Sequence, residues 1–105
     1  MLKKIGYRPT WAEVKLDNLG YNFRKIRGLL SQRTKIMVCV KADAYGHGLV
    51  PVAKKLEYCG ADYLAVASID EGIILREAGL KLPVLILGAV LKSDTAPLFK
   101  YNITP

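Results

Sequence analysis

Apolar positions recur along this chain with two different periods, and the periods predict its elements. Trp11-Ala-Glu-Val-Lys-Leu16 alternates apolar with polar residues, as a half-exposed strand does. Asp17 is suited to cap a following helix, because its carboxylate can accept from the free amides of the first turn. Leu19, Phe23, Ile26 and Leu30 fall on one helical face, with Arg24, Lys25 and Arg27 directed elsewhere. Ile36-Met-Val-Cys-Val40 is apolar without interruption, which predicts a strand buried on both faces. It ends at Lys41 and a loop that runs to Gly48. Leu49, Val52, Ala53 and Leu56 then predict a second helix, and Gly60 stands where a left-handed helix end favours glycine.

The same order repeats. Tyr63-Leu-Ala-Val-Ala67 is a buried-type strand, and Ser68 with Glu71 forms a capping-box pattern ahead of a helix through Ile74, Leu75 and Ala78 to Gly79. Pro83-Val-Leu-Ile-Leu87 is a third strand, since proline is tolerated at a strand's first residue. Ser93 or Asp94 can start a further helix, and a fourth strand is expected to begin near Ile103-Thr104-Pro105. Strands alternating with helices through short connections make parallel βα units, which build either an open doubly wound sheet or a closed barrel. Three such units are present. A closed (β/α)8 barrel takes about 250 residues, so 105 residues supply less than half of one. The pattern leaves two forms open, a small self-contained sheet and part of a barrel.

Composition changes this picture little. Half of the residues are hydrophobic, enough for one modest core. The formal charge of +7 is dispersed over Lys3, Lys4 and Arg8, then Arg24, Lys25 and Arg27, then Lys54 and Lys55. Such scatter reads as solvated surface rather than a nucleic-acid face. Cys39 and Cys59 have neither metal-ligand spacing nor a disulfide framework around them, and no segment has the length and apolarity of a signal peptide or membrane span. A reducing cytoplasm is the expected setting. The sequon at Asn102 is read as chance, and a lone histidine, His47, does not make a metal site.

The informative placement is Lys41. Ligands of parallel α/β folds gather at the carboxyl ends of the strands. An amine partly desolvated there is inclined toward its neutral form, which can condense with an aldehyde. The alternative is a lysine that reaches out into water or pairs with Asp43. Tyr45 is similarly either a site residue or an aromatic packed on the rim, Gly46 and Gly48 permit a tight turn or cradle a phosphate, and Leu87 taken alone is a core leucine.

Val40-Lys-Ala-Asp-Ala-Tyr-Gly-His-Gly48 closely resembles the cofactor-binding motif of the alanine racemase family. Thr10-Trp-Ala-Glu-Val14, Leu64-Ala-Val-Ala67, Asp70-Glu71 with Leu75-Arg-Glu77, and Leu85-Ile-Leu-Gly-Ala89 resemble it too, in that family's order. The resemblance implies the N-terminal portion of a (β/α)8 barrel domain, here about three βα units plus an N-terminal strand and helix, spanning residues 1–105. It implies pyridoxal 5'-phosphate carried as an internal aldimine on Lys41, which also acts as one of two acid/base groups on the α-carbon. Tyr45 would place its hydroxyl near the cofactor phosphate, and Leu87 would pack near the ring. The activity implied is interconversion of L- and D-alanine for peptidoglycan precursors, by a cytoplasmic homodimer with no nucleic-acid or membrane partner. The second acid/base, a tyrosine of the family's C-terminal β-domain, has no counterpart here, so this chain alone is expected to be inactive. Its unpaired strand edges are expected to favour association. Competing readings are a non-catalytic cofactor-handling protein on a related barrel, a racemase of another amino acid, and a basic nucleic-acid module. Tyr45–Gly48 argues against the first, and the lack of a recognition motif argues against the last.

Overall fold

The structure, a computed structural model, describes residues 8–105. The basic pair Lys3 and Lys4 lies outside the described residues. Three parallel strands, β1 (Met37–Cys39), β2 (Tyr63–Val66) and β3 (Val84–Ile86), pair in sequence order. Their register sets Cys39 beside Ala65 and Ala65 beside Leu85. Helix α1 (Leu16–Gly28) precedes the sheet. A short segment, α2 (Lys41–Tyr45), follows β1 and leads into α3 (Leu49–Cys59). Helix α4 (Ile69–Glu77) links β2 to β3, and a 3-10 turn (Lys92–Asp94) opens α5 (Thr95–Tyr101).

Side chains alternate across each strand. Val40, Leu64, Val66, Val84 and Ile86 are buried and join one core with Phe23, Leu49, Val52, Leu56 and Leu75 from the helices. The opposite face carries Met37 and Cys39, both exposed, and among the described residues no helix covers it. Ala65 is buried on that face but stays outside the core cluster. The helices lie side by side in chain order, α1 on α3, α3 on α4 and α4 on α5. A doubly wound sheet requires helices on both faces and a reversal of strand order, and neither occurs among the described residues. The arrangement is an arc of a barrel. A fourth strand starts where expected: the Ile86 amide donates to the Thr104 carbonyl at 2.9 Å, and the Thr104 amide donates to Val84 at 2.8 Å.

Several expectations are corrected. The predicted N-terminal strand Trp11–Leu16 does not form, because its alternating side chains have no sheet partner among the described residues; the chain stays irregular to Lys15 and α1 begins at Leu16. Asp17 is consequently one residue inside the helix. It caps nothing, and accepts instead from the Lys55 ammonium at 3.0 Å. Ile26 and Leu30 are exposed, since α1 meets α3 through Gly20 and Phe23, where Gly20 leaves room for the Lys55 stem and the Cys59 sulfur. Arg27 is less free than its position on the polar face suggested, and donates to the Thr34 carbonyl at 2.7 Å. The Ile36–Val40 run is covered on one face, not two. The predicted helix α3 and its buried residues are as expected, with Gly60 at φ 96° ending it.

One side chain closes the far end of the α4 unit. Arg76 donates to the carbonyls of Tyr101, Leu80, Leu82 and Asn102 at 2.7–2.9 Å. Burial of its guanidinium lowers its pKa, and the nearby Glu57 carboxylate opposes that shift.

Candidate functional site

The site is built where β1 ends. The Val40 amide donates to the Ala65 carbonyl at 2.8 Å, the last ladder bond before the chain leaves the sheet at Lys41. Segment α2 then turns the wrong way. Ala42, Asp43, Ala44 and Tyr45 all hold φ of 52–56°, giving one turn of left-handed helix with no glycine in it. Each such residue costs about 1–2 kcal/mol through crowding of its β-carbon, so the turn persists only because its surroundings hold it.

Several bonds among the described residues hold it. The Ala44 amide donates to Val40 at 2.9 Å, and the Asp43 carbonyl accepts from both Gly46 and Gly48 at 3.0 Å. Gly46 and Gly48, at φ 86° and 99°, complete the reversal into α3. This is the tight turn expected of them. His47 contributes locally, its Nδ1 lying 2.9 Å from the Ala44 carbonyl. Asp43 does not pair with Lys41. Its carboxylate accepts the Leu49 amide at 2.8 Å and so caps α3 from six residues upstream.

The remaining tie comes from α4. The Ser68 hydroxyl accepts from the Glu71 amide at 3.4 Å, the first half of the predicted capping box. The reciprocal half does not form. Glu71 instead spreads its carboxylate between two strand ends, accepting from Ala42 at 2.8 Å through Oε1 and from Ala67 at 2.6 Å through Oε2. At the third strand end Gly88 lies against the Ala67 carbonyl, so close that a β-carbon would sit 2.5 Å from the oxygen. One carboxylate and one close approach thus knit together the ends of β1, β2 and β3.

Lys41 is half-buried on this rim, and among the described residues its ammonium has no ion-pair or side-chain hydrogen-bond partner. Tyr45, 67% exposed, likewise leaves its hydroxyl unengaged among the described residues. Leu87 presents an apolar side chain, 52% exposed, where β3 ends; its amide donates to Val66 at 2.8 Å. An unpartnered primary amine, a phenol and an apolar platform on one rim fit a phosphorylated aromatic aldehyde. Among the described residues no cluster of three His, Cys, Asp or Glu side chains could hold a metal. A cleft of about 450 Å³ runs along the free edge of β1 between Leu19, Val38 and Val52, but Lys41, Tyr45 and Leu87 do not line it. It lies on the flank of the arc and touches the turn after Lys41 only through Ala44 and His47.

Sequence reading singled out Lys41, Tyr45 and Leu87; the structure sets Lys41 and Leu87 just past the ends of β1 and β3, and Tyr45 at the end of the left-handed turn that follows Lys41. It missed Glu71 and Gly88 as rim residues. The acidic side chain at the third position of a helix was visible, but its partner 29 residues away was not.

The chain as a whole is similar to known proteins. The family described as alanine racemase, N-terminal domain, matches residues 14–105. An alanine racemase of Halothermothrix orenii is 53% identical over 98 residues, covering 93% of this chain and 26% of that protein. The solved alanine racemase of Clostridium difficile 630 in complex with cycloserine superposes with a TM-score of 0.88 at 50% identity, covering 95% of this chain and 26% of that one. A histidine racemase from Leuconostoc mesenteroides superposes with a TM-score of 0.75 at 27% identity, over 84% of this chain and 23% of that one. The chain spans about a quarter of the length of the curated relatives it matches.

Proposed function

This chain belongs to the alanine racemase family, and from that premise we propose that it is the cofactor-bearing part of a pyridoxal-phosphate-dependent racemase that interconverts L- and D-alanine. Residues 1–105 would be the N-terminal portion of its barrel domain. The observation that carries the reading is the unpartnered Lys41 amine at the carboxyl end of β1, held on a rim that the Tyr45 phenol and the Leu87 side chain share. Identity of 53% to an alanine racemase, against 27% to a histidine racemase, favours alanine as substrate.

Lys41 would hold the cofactor covalently through its amine. Tyr45 would donate its hydroxyl to the phosphate, and Leu87 would give the ring an apolar surface. Pyridoxal phosphate, when bound, supplies the conjugated electron sink that stabilises negative charge on an amino acid's α-carbon. Lys41 would also take or return the α-proton on one face. Racemisation needs a second proton-transfer group on the other face. Tyr45, the phenol after Lys41, is committed by this reading to the phosphate. We therefore assign the second group to residues other than these, in a homodimeric protein whose cytoplasmic role is supplying D-alanine for peptidoglycan.

The test is chiral analysis of L-alanine incubated with the full-length protein and pyridoxal phosphate. D-alanine should accumulate with wild type and not with Lys41→Ala. Equal conversion by both would refute the assignment.

A further inference from the structure

We propose that Glu71 is a positioning residue for Lys41, acting through the backbone amide that follows it and the adjacent end of β2; the proposal rests on the reading that Lys41 carries the cofactor. Three observations combine. Glu71 Oε1 accepts the Ala42 amide, the peptide bond directly following Lys41, at 2.8 Å. Glu71 Oε2 accepts the Ala67 amide at the end of β2, the strand beside β1, at 2.6 Å. The turn so held is left-handed through four non-glycine residues, so it returns to ordinary conformations unless tied.

The placement of Glu71 is itself fixed. Its own amide donates to Ser68 Oγ, and α4 is buried through Gly72 and Leu75, so the carboxylate projects from a rigid helix start. Gly72 packs closely on the Ile103 side chain, where a β-carbon would sit 2.8 Å from its Cδ1. Carboxylate oxygens accepting backbone amides make charge-assisted bonds, stronger than neutral ones. The two bonds fix the spacing between the β1 and β2 ends, and with it the direction in which the Lys41 side chain leaves the sheet. An amine misplaced by about 1 Å can lose a hundredfold in reactivity.

Substitution separates this role from general stability. Glutamine keeps one accepting oxygen but turns an NH2 toward the other amide, so Glu71→Gln loses one tie and sets donor against donor. Alanine loses both. Neither change removes Lys41, Tyr45 or Leu87. Arg76→Lys, in the last turn of the same helix, provides a destabilised control remote from the rim.

The experiment uses the full-length protein with pyridoxal phosphate as probe. It measures the apparent Kd for the cofactor, the rate at which its lysine-bound absorbance appears, and the fraction trapped on Lys41 by borohydride reduction and peptide mapping. Glu71→Gln should weaken binding and slow attachment about tenfold, and Glu71→Ala at least as much. Arg76→Lys, compared at the same temperature below its Tm, should attach cofactor at the wild-type rate. Wild-type rate and occupancy in both Glu71 variants would overturn the proposal, as would an equal loss in Arg76→Lys. Failure of wild type itself to label Lys41 would overturn the underlying reading instead.

Discussion

Asp43 reaches six residues forward to accept the Leu49 amide hydrogen at 2.8 Å, so the left-handed turn after Lys41 and the start of α3 are held by one carboxylate. The residue before Leu49 is Gly48, which has no side chain to cap with, and Asp43 fills that role at a distance. Removing this cap with Asp43→Ala should cost about 1–2 kcal/mol. Asp43→Asn, whose amide oxygen can still accept, should lose less than half of that. Urea unfolding of the full-length protein checks the order; equal losses would mean that the charge rather than the accepted bond matters.

Gly88 and Gly28 offer a matched pair. A β-carbon at Gly88 meets the Ala67 carbonyl at 2.5 Å, whereas at Gly28 it meets nothing within 4 Å. Gly88→Ala should therefore destabilise by about 1–3 kcal/mol through forced backbone movement. Gly28→Ala, in the last turn of α1, should be neutral or stabilising by up to about 1 kcal/mol. The comparison is made by Tm, and a Gly88→Ala variant as stable as wild type would show that the rim is looser than described.

Arg76 joins α4 to both the loop before β3 and the segment before the fourth strand through four carbonyls. Arg76→Ala leaves those acceptors to water or unsatisfied, and should cost about 2–4 kcal/mol. Lysine, a compact ammonium in place of a planar fork that reaches four carbonyls, should recover only part. Thermal unfolding of the two variants decides this, with full recovery by lysine counting against the bonding described.

Tyr45 should separate binding from stability. Its hydroxyl has no partner among the described residues and its ring is largely exposed, so Tyr45→Phe should leave Tm unchanged. If the hydroxyl donates to the cofactor phosphate, the same variant should bind pyridoxal phosphate roughly tenfold more weakly, the worth of one hydrogen bond to a charged acceptor. Unchanged affinity would remove Tyr45 from the site.

Much of this fold was legible because its signals are local. Helix α3 announced itself through Leu49, Val52, Ala53 and Leu56 and the glycine after it, and Lys41 stood out as the first polar residue after an apolar run. What was not legible depended on distant partners. Trp11–Leu16 alternates as a strand should, yet alternation supplies no neighbour to pair with. An apolar run such as Ile36–Val40 reads the same whether its second face meets helices or the inside of a barrel. Glu71 sits where a capping box predicts, but its carboxylate meets Ala42, which only folding brings near. The left-handed turn runs against the preferences of Ala42 and Ala44 themselves, and is held by local bonds to Val40, Gly46, Gly48 and Leu49 together with the distant carboxylate of Glu71.

The central claim is that the Lys41 amine is the group that takes the cofactor, and trapping tests it most directly. The full-length protein is incubated with pyridoxal phosphate, reduced with borohydride, digested and mapped by mass spectrometry. The phosphopyridoxyl mass should appear on the peptide containing Lys41, at near one per chain, and vanish in Lys41→Ala. An unmodified Lys41 peptide, with the label on another lysine or absent, would contradict the account.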